Sequence, residues 1–133
     1  MDDQTIDLLE AAIRKRQPLR KHTNALRLVN GLGDGLAGLV LEQYDRHFAA
    51  HIFQKRWFAE KKALAGFVKA RFNARYLIVK DRTESVSSGL ETIKTRVLIE
   101  GDTSQAIVRE NGLKFGVDLN DAVNSGLFLD MRH

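Results

Sequence analysis

Four histidines come first among the side chains that could do chemistry, because imidazole is both a common metal ligand and a general base. They stand at positions 22, 47, 51 and 133, a spacing that defines no metal site. His47 and His51 lie four residues apart in a segment with strand character. They share a sheet face there but are not direct neighbours, since each residue advances a strand by about 3.3 Å. The histidines therefore predict no metal centre.

The remaining reactive side chains are equally unspecific. Glu42 with Asp45, and Asp81 with Glu84, form carboxylate pairs that an exposed surface explains as well as acid-base catalysis does. The serines at 87 and 88 lack the flanking residues of a nucleophile elbow. The chain contains no cysteine, which excludes disulfides, thiolate metal sites and a cysteine nucleophile within it. No catalytic residue is assigned.

The sequence carries an excess of positive charge, part of it clustered in one segment. Lys and Arg number 21 against 17 Asp and Glu, a net charge of +4, and the pI is about 9.6. Such a balance is compatible with a nucleic-acid partner. The densest basic run surrounds Pro18, where its cations either complement the dipole of a helix that ends there or contact phosphates. The candidate RNA-binding residues are Arg14, Lys15, Arg16, Arg20 and Lys21.

Apolar periodicity predicts the elements that must position these residues. An amphipathic helix is expected over 3–16, and a second helix over 56–72 whose Trp57 stripe packs on a sheet. The glycine-rich segment 30–35 matches neither a Walker loop nor a dinucleotide fingerprint, so a tight turn is favoured over a phosphate cradle. Asn111-Gly112 is a strong hairpin signal. Strands are expected at 25–29, 36–43, 47–53, 76–79, 97–100 and 106–109.

Together these elements predict an α+β fold in three parts. An N-terminal helix and basic arm occupies 1–22, a strand-strand-helix-strand-strand domain occupies 23–109, and a hairpin opens the last part, 110–133. No apolar run approaches the roughly 18 residues of a transmembrane helix. The N-terminus is acidic, unlike that of a signal peptide. A cytoplasmic protein without membrane contact is expected.

Three segments resemble one family, the bacterial ribosomal RNA large-subunit methyltransferases related to the enzymes that make 5-methylcytidine in 23S rRNA. Residues 27–44 resemble its hydrophobic lead-in followed by Asp-Gly-Leu-Pro-Gly-Leu, an acidic residue and an aromatic. Residues 110–115 resemble the hairpin that enters the methyltransferase domain. Residues 125–132 resemble a Thr-Gly-Phe-Phe-Leu-Asp-Gln-Arg segment near the donor pocket. The three matches occur in the expected order.

The resemblance implies that S-adenosylmethionine is the methyl donor and that RNA, 23S rRNA in particular, is the partner. It implies a Rossmann-like donor-binding domain that lies largely beyond the last residue given. Phe128, Asp130 and Arg132 match the motif and are the candidates for lining the donor or substrate pocket. This chain by itself is expected neither to catalyse nor to bind the donor well. The alternative is a non-catalytic structural module that forms a homodimer through its sheet edges.

Two departures from the family pattern limit these implications. Ala37 replaces the proline of the Asp-Gly-Leu-Pro-Gly loop, which changes loop stiffness more than chemistry. Residues 122–126 read Ala-Val-Asn-Ser-Gly where many members have Gly-Gln-Lys-Thr-Gly. The lysine of that segment is absent, so no donor contact is assigned there.

Overall fold

The fold is built around a five-stranded β-sheet. The structure is a computed structural model and describes residues 1–83 and 94–120. A separate two-stranded hairpin follows it. The helices and strands are α1 (Asp3–Arg16), β1 (Ala25–Asn30), β2 (Leu39–Tyr44), β3 (His47–Ile52), α2 (Arg56–Phe72), β4 (Tyr76–Asp81), β5 (Lys94–Glu100), β6 (Gln105–Glu110) and β7 (Leu113–Asp118). Two short 3-10 helices span Gln17–Lys21 and Gly31–Asp34.

The strands of the sheet follow chain order, β1-β2-β3-β4-β5. Every neighbouring pair is antiparallel except β3 and β4, which are parallel because α2 carries the chain back across the sheet between them. The expected α+β class is confirmed. The topology differs from the expected strand-strand-helix-strand-strand order, since three strands rather than two precede α2 in the sheet.

One face of the sheet is covered by both helices. Helix α1 begins at an Asp2 cap, whose side chain accepts a 2.8 Å hydrogen bond from the Thr5 amide, and it buries Leu9, Ala12 and Ile13. Helix α2 buries Trp57, Leu64 and Val68. The expected packing of Trp57 is confirmed, and its indole donates to the Ala37 carbonyl at 2.9 Å. The sheet side of this core includes Leu26, Leu28, Leu41, Phe48, Ile52 and Leu77.

The β6–β7 hairpin covers part of the other face. Ala106 and Val108 of β6 are buried in one cluster with Ala25, Tyr44 and Ala49 of the sheet. The hairpin turns at residues 111 and 112, which both have positive φ, 50° and 84°, as a two-residue turn between twisted strands requires. The predicted hairpin is confirmed, and residues 109 and 110 both lie in β6.

The glycine-rich segment is a compact turn that packs on its own chain. Gly35 has φ +75 and ends the second 3-10 helix, where a Cβ would lie 3.2 Å from the Leu8 side chain. Leu36, expected to begin a strand, is instead a buried residue of this turn. Gly38 has φ +87, and a Cβ there would lie 2.5 Å from the Gln54 side chain. The tight-turn interpretation is confirmed.

Replacing Gly38 with Ala should destabilise the protein by about 1–3 kcal/mol, because the new methyl group meets Gln54 while the backbone holds a positive φ. The matched control is Gly33→Ala, since a Cβ at Gly33 has no atom within 4 Å and its φ is ordinary. Urea unfolding of both variants measures the difference. Equal free energies of unfolding for the two variants would contradict this account of Gly38.

Candidate nucleic-acid interface

The five predicted RNA-binding cations lie on two consecutive helices. Arg14, Lys15 and Arg16 form the last turn of α1, and Arg20 and Lys21 lie on the 3-10 helix that follows. The segment expected as an arm is therefore helical and continuous with α1. Pro18 lies in the first turn of the 3-10 helix, where a backbone N–H would have no hydrogen-bond partner within the helix, so its absence costs nothing.

The side chain of Arg16 is held by contacts within the protein. Its guanidinium donates to Asp34 Oδ1 at 2.8 Å and to the Ala12 carbonyl at 3.2 Å. Burial on its own raises the pKa of Asp34, but hydrogen bonds from Arg16 and from the Asn30 amide outweigh it and hold that pKa below its usual value. Lys15 approaches the same oxygen at 3.5 Å but is largely exposed. Arg16 thus ties α1 to the glycine-rich turn.

Arg20 is also held in place. Its guanidinium donates to Gln43 Oε1 at 3.0 Å and lies 5.4 Å from the centre of the Phe72 ring. Arg71 lies 5.2 Å from the centre of the same ring and donates to Glu10 at 3.1 Å. These contacts fix the Arg20 charge at the junction of the sheet with α2.

A cleft of about 220 Å³ opens beside Arg20, between the 3-10 helix and the tip of the hairpin. It brings together two parts of the chain that are far apart in sequence. Its lining is formed by Arg20, Lys21, His22, Thr23, Asn24, Arg109 and Gly112. Lys21, His22 and Arg109 are exposed.

The walls of the cleft are joined by main-chain hydrogen bonds. The Asn24 amide donates to the Arg109 carbonyl at 3.2 Å, and the Arg109 amide donates to Asn24 Oδ1 at 2.6 Å. The Asn111 amide donates to the His22 carbonyl at 2.8 Å. Thr23 and Glu110 form an isolated antiparallel bridge between these bonds. The hairpin tip is consequently fixed against the 3-10 helix.

Arg109 is a candidate that the sequence analysis missed. Alternation in β6 indicates that its side chain faces away from the sheet, but nothing local indicates that it meets residues 20–24. That meeting depends on pairing between segments 85 residues apart. Arg14 and Lys15 lie outside the cleft lining.

Apart from the cleft, a cluster of hydrogen-bonded polar side chains is buried in the sheet around Glu42. Glu42 is 0% exposed, so the surface position expected for it is wrong. Its carboxyl oxygens accept from His51 Nε2 at 2.7 Å, from the Tyr44 hydroxyl at 3.3 Å and from Arg27 at 3.4 Å. Arg82 donates to His51 Nδ1 at 2.8 Å. Since Nδ1 accepts, the ring hydrogen of a neutral His51 is on Nε2 and points to Glu42.

Within residues 1–83 and 94–120, no three His, Asp or Glu side chains gather as a metal site would require. None of the described helices is both long and apolar enough to cross a membrane. The donor-pocket candidates Phe128, Asp130 and Arg132 lie outside the described residues.

Comparison with known proteins identifies the chain's relatives. It is 28% identical over 113 residues to the candidate ribosomal RNA large subunit methyltransferase YwbD of Bacillus subtilis, covering 84% of this chain and 28% of that protein. Ribosomal RNA large subunit methyltransferase I of Alteromonas mediterranea is 28% identical across 91% of this chain and 30% of its own length. The resemblance to ribosomal RNA large-subunit methyltransferases is confirmed.

Solved structures agree with the sequence relatives. A candidate SAM-dependent methyltransferase from Streptococcus mutans superposes with a TM-score of 0.75 at 25% identity, over 96% of this chain and 32% of that one. A candidate methyltransferase in complex with SAH gives the same values. No family profile matches the chain. The chain spans 28% to 30% of the length of the two curated relatives described above.

The buried histidines predict a loss of stability in acid. Burial lowers the pKa of His51 below 6.5, with Arg82 and Lys80 acting in the same direction, while Glu42 opposes them. Burial also lowers the pKa of His47. Because the pKa of each histidine is lower in the folded state, the unfolded chain binds protons at a higher pH than the folded chain does. Stability present above pH 6.5 is therefore lost as the pH falls from 6.5 toward the folded pKa.

Replacing His51 with Gln removes one titrating group while keeping a donor for Glu42 and an acceptor for Arg82. We expect the variant to be about 1–3 kcal/mol less stable at pH 7 and to lose less further stability by pH 5 than the parent. His22→Gln is the control, because His22 is exposed. Melting curves from pH 5 to 8 measure both effects. A His51→Gln profile parallel to that of the parent would contradict the assignment.

Proposed function

We propose that this chain is the RNA-recognition and docking module of a cytoplasmic, SAM-dependent methyltransferase that acts on ribosomal RNA, with 23S rRNA as the substrate. The observation that carries the proposal is the similarity to proteins named as ribosomal RNA large subunit methyltransferases across 84% and 91% of the chain. The fold match to a candidate SAM-dependent methyltransferase supports the same assignment. Exposed cations on α1, the 3-10 helix and β6 give the chain a surface that suits an RNA backbone.

Methyl transfer is assigned in this proposal to residues outside the described part of the chain. The glycine-rich segment does not fit the donor, because Leu8 and Gln54 fill the space beside Gly35 and Gly38. The cleft at Arg109, about 220 Å³, is smaller than the roughly 300–1,000 Å³ of typical small-molecule pockets. A cytosine C5 reaction would need a cysteine nucleophile, which this chain lacks. Phe128, Asp130 and Arg132 remain the proposed contacts to donor or substrate.

A second candidate function is self-association. Ile107 and Leu113 of the hairpin are 68% and 64% exposed, and among residues 1–83 and 94–120 strand β7 pairs with β6 alone. Exposed apolar side chains on a free edge favour pairing with a second copy. Sedimentation equilibrium separates the candidates, since a strict monomer at high concentration removes this one.

RNA binding by the chain should be strongly salt-dependent. We expect a dissociation constant in the range of about 10⁻⁴ to 10⁻⁶ M at physiological salt for a fragment of 23S rRNA, with affinity falling linearly on a log-log plot as salt rises. Fluorescence anisotropy over a series of salt concentrations measures this slope. A chain that binds no RNA even at low salt would overturn the proposed function.

Charge reversal tests whether the predicted basic surface is the one used. Arg14→Glu, Lys15→Glu and Lys21→Glu together should weaken RNA binding by about tenfold or more, since all three side chains are exposed. The control reverses the same number of charges, with Lys55→Glu, Lys62→Glu and Lys69→Glu, exposed positions of which the first directly precedes α2 and the other two lie on it. Equal weakening by the control would assign binding to net charge rather than to this surface.

A further inference from the structure

We propose that the cleft between the 3-10 helix and the hairpin tip is a binding site for one backbone phosphate of an RNA, with Lys21 and Arg109 as its charged ligands. The inference rests on the proposed RNA-recognition function and names the chemical group that this site takes. It also adds a residue, Arg109, that lies far from the basic run of the sequence.

The cleft presents donors that the fold does not use. Within residues 1–83 and 94–120, the side chains of Lys21, His22 and Arg109 make no hydrogen bond or ion pair. By contrast, Arg16 is held by Asp34 and Arg20 by Gln43. Three donors without partners among the described residues surround one opening, so each is available to an anionic ligand.

The electrostatics of the lining select an anion. Arg20, Lys21 and Arg109 contribute three positive charges, and none of the described residues that line the cleft is acidic. Arg20 cannot turn away readily, since Gln43 and the Phe72 ring fix its guanidinium. A phosphate group in the cleft would accept hydrogen bonds from Lys21 and Arg109 in front of this fixed charge.

The cleft is built before any ligand arrives. The Asn24 and Arg109 main chains are joined by two hydrogen bonds of 3.2 and 2.6 Å, one through the Asn24 side chain, and His22 is joined to Asn111 at 2.8 Å. The positive φ of Gly112 keeps the turn tight, with open space where a Cβ would stand. The main chain of the cleft therefore loses little conformational entropy when a phosphate binds, and the cost is confined to ordering the Lys21 and Arg109 side chains.

Size distinguishes a single phosphate from a larger ligand. About 220 Å³ is less than the roughly 300–1,000 Å³ that encloses a cofactor or drug-sized molecule. The cleft therefore fits one phosphodiester of a chain that continues over the surface on both sides. Contacts to phosphate fix the position of an RNA without reading its bases.

The experiment compares two double variants of the full chain that remove the same charge. Arg109→Gln with Lys21→Gln alters the cleft, and Lys55→Gln with Lys62→Gln alters two exposed positions, one just before α2 and one on it. RNA affinity is measured against salt for both and for the parent. The cleft variant should bind about tenfold more weakly, and its log-log salt slope should be smaller by about one. The control should keep most of the affinity.

Inorganic phosphate serves as a separate probe. Amide signals of His22, Arg109 and Gly112 should shift on titration with phosphate in the parent and stay in place in the cleft variant, while melting temperatures confirm that both are folded. If RNA binds but the cleft and control variants weaken it equally, this site is wrong and the proposed function stands. Phosphate shifts without a change in RNA slope would also overturn the proposal, because the site would then take free phosphate only. No RNA binding by the parent would remove the proposed function itself.

Discussion

Asn24 joins three parts of the molecule through its own peptide and amide groups. Its N–H donates to the Arg109 carbonyl, its side-chain oxygen accepts from the Arg109 amide, and its carbonyl accepts from the Asp45 amide at 2.8 Å. These bonds link the start of β1, the hairpin and the β2–β3 turn. Together with the Asn111–His22 hydrogen bond and the apolar packing of Ala106 and Val108, this junction holds the hairpin over the second face. The cleft exists because the same bonds set the distance between Arg109 and the 3-10 helix.

The second face of the sheet combines apolar packing with buried charge. Ala25, Tyr44 and Ala49 pack under the hairpin, while Glu42 and His51 bond to each other farther along β2 and β3. Removing such groups from water is costly unless each finds a partner, and in proteins generally an apolar set of equal volume is often as stable. Their value lies in register, since a slip of one residue between β2 and β3 would turn Glu42 and His51 to opposite faces of the sheet.

Local signals in the sequence predicted the elements whose geometry is local. The helix over 3–16, the Asn111-Gly112 turn and the compact glycine-rich segment all follow from spacing within a few residues. Strand β5 begins at Lys94, three residues before the predicted start at 97. The prediction began late because residues 94–96 are exposed and polar and show no apolar alternation. The burial of Glu42 and the position of Arg109 beside the 3-10 helix could not be predicted for another reason. The first depends on His51 and Arg27, and the second on a contact with Asn24 across 85 residues, so both depend on pairing that no local pattern encodes.

A preformed phosphate site has a consequence for how such a module contributes to specificity. Phosphates are identical along an RNA, so a cleft lined by cations sets the position of the backbone and leaves the base unread. Preorganisation makes this efficient, since Arg20 is already held by Gln43 and Phe72 and the hairpin by Asn24. Discrimination between nucleotides comes from groups that contact base edges rather than from contacts to phosphate. Under the proposed function, a module of this kind fixes where an RNA strand lies and does not by itself select the nucleotide.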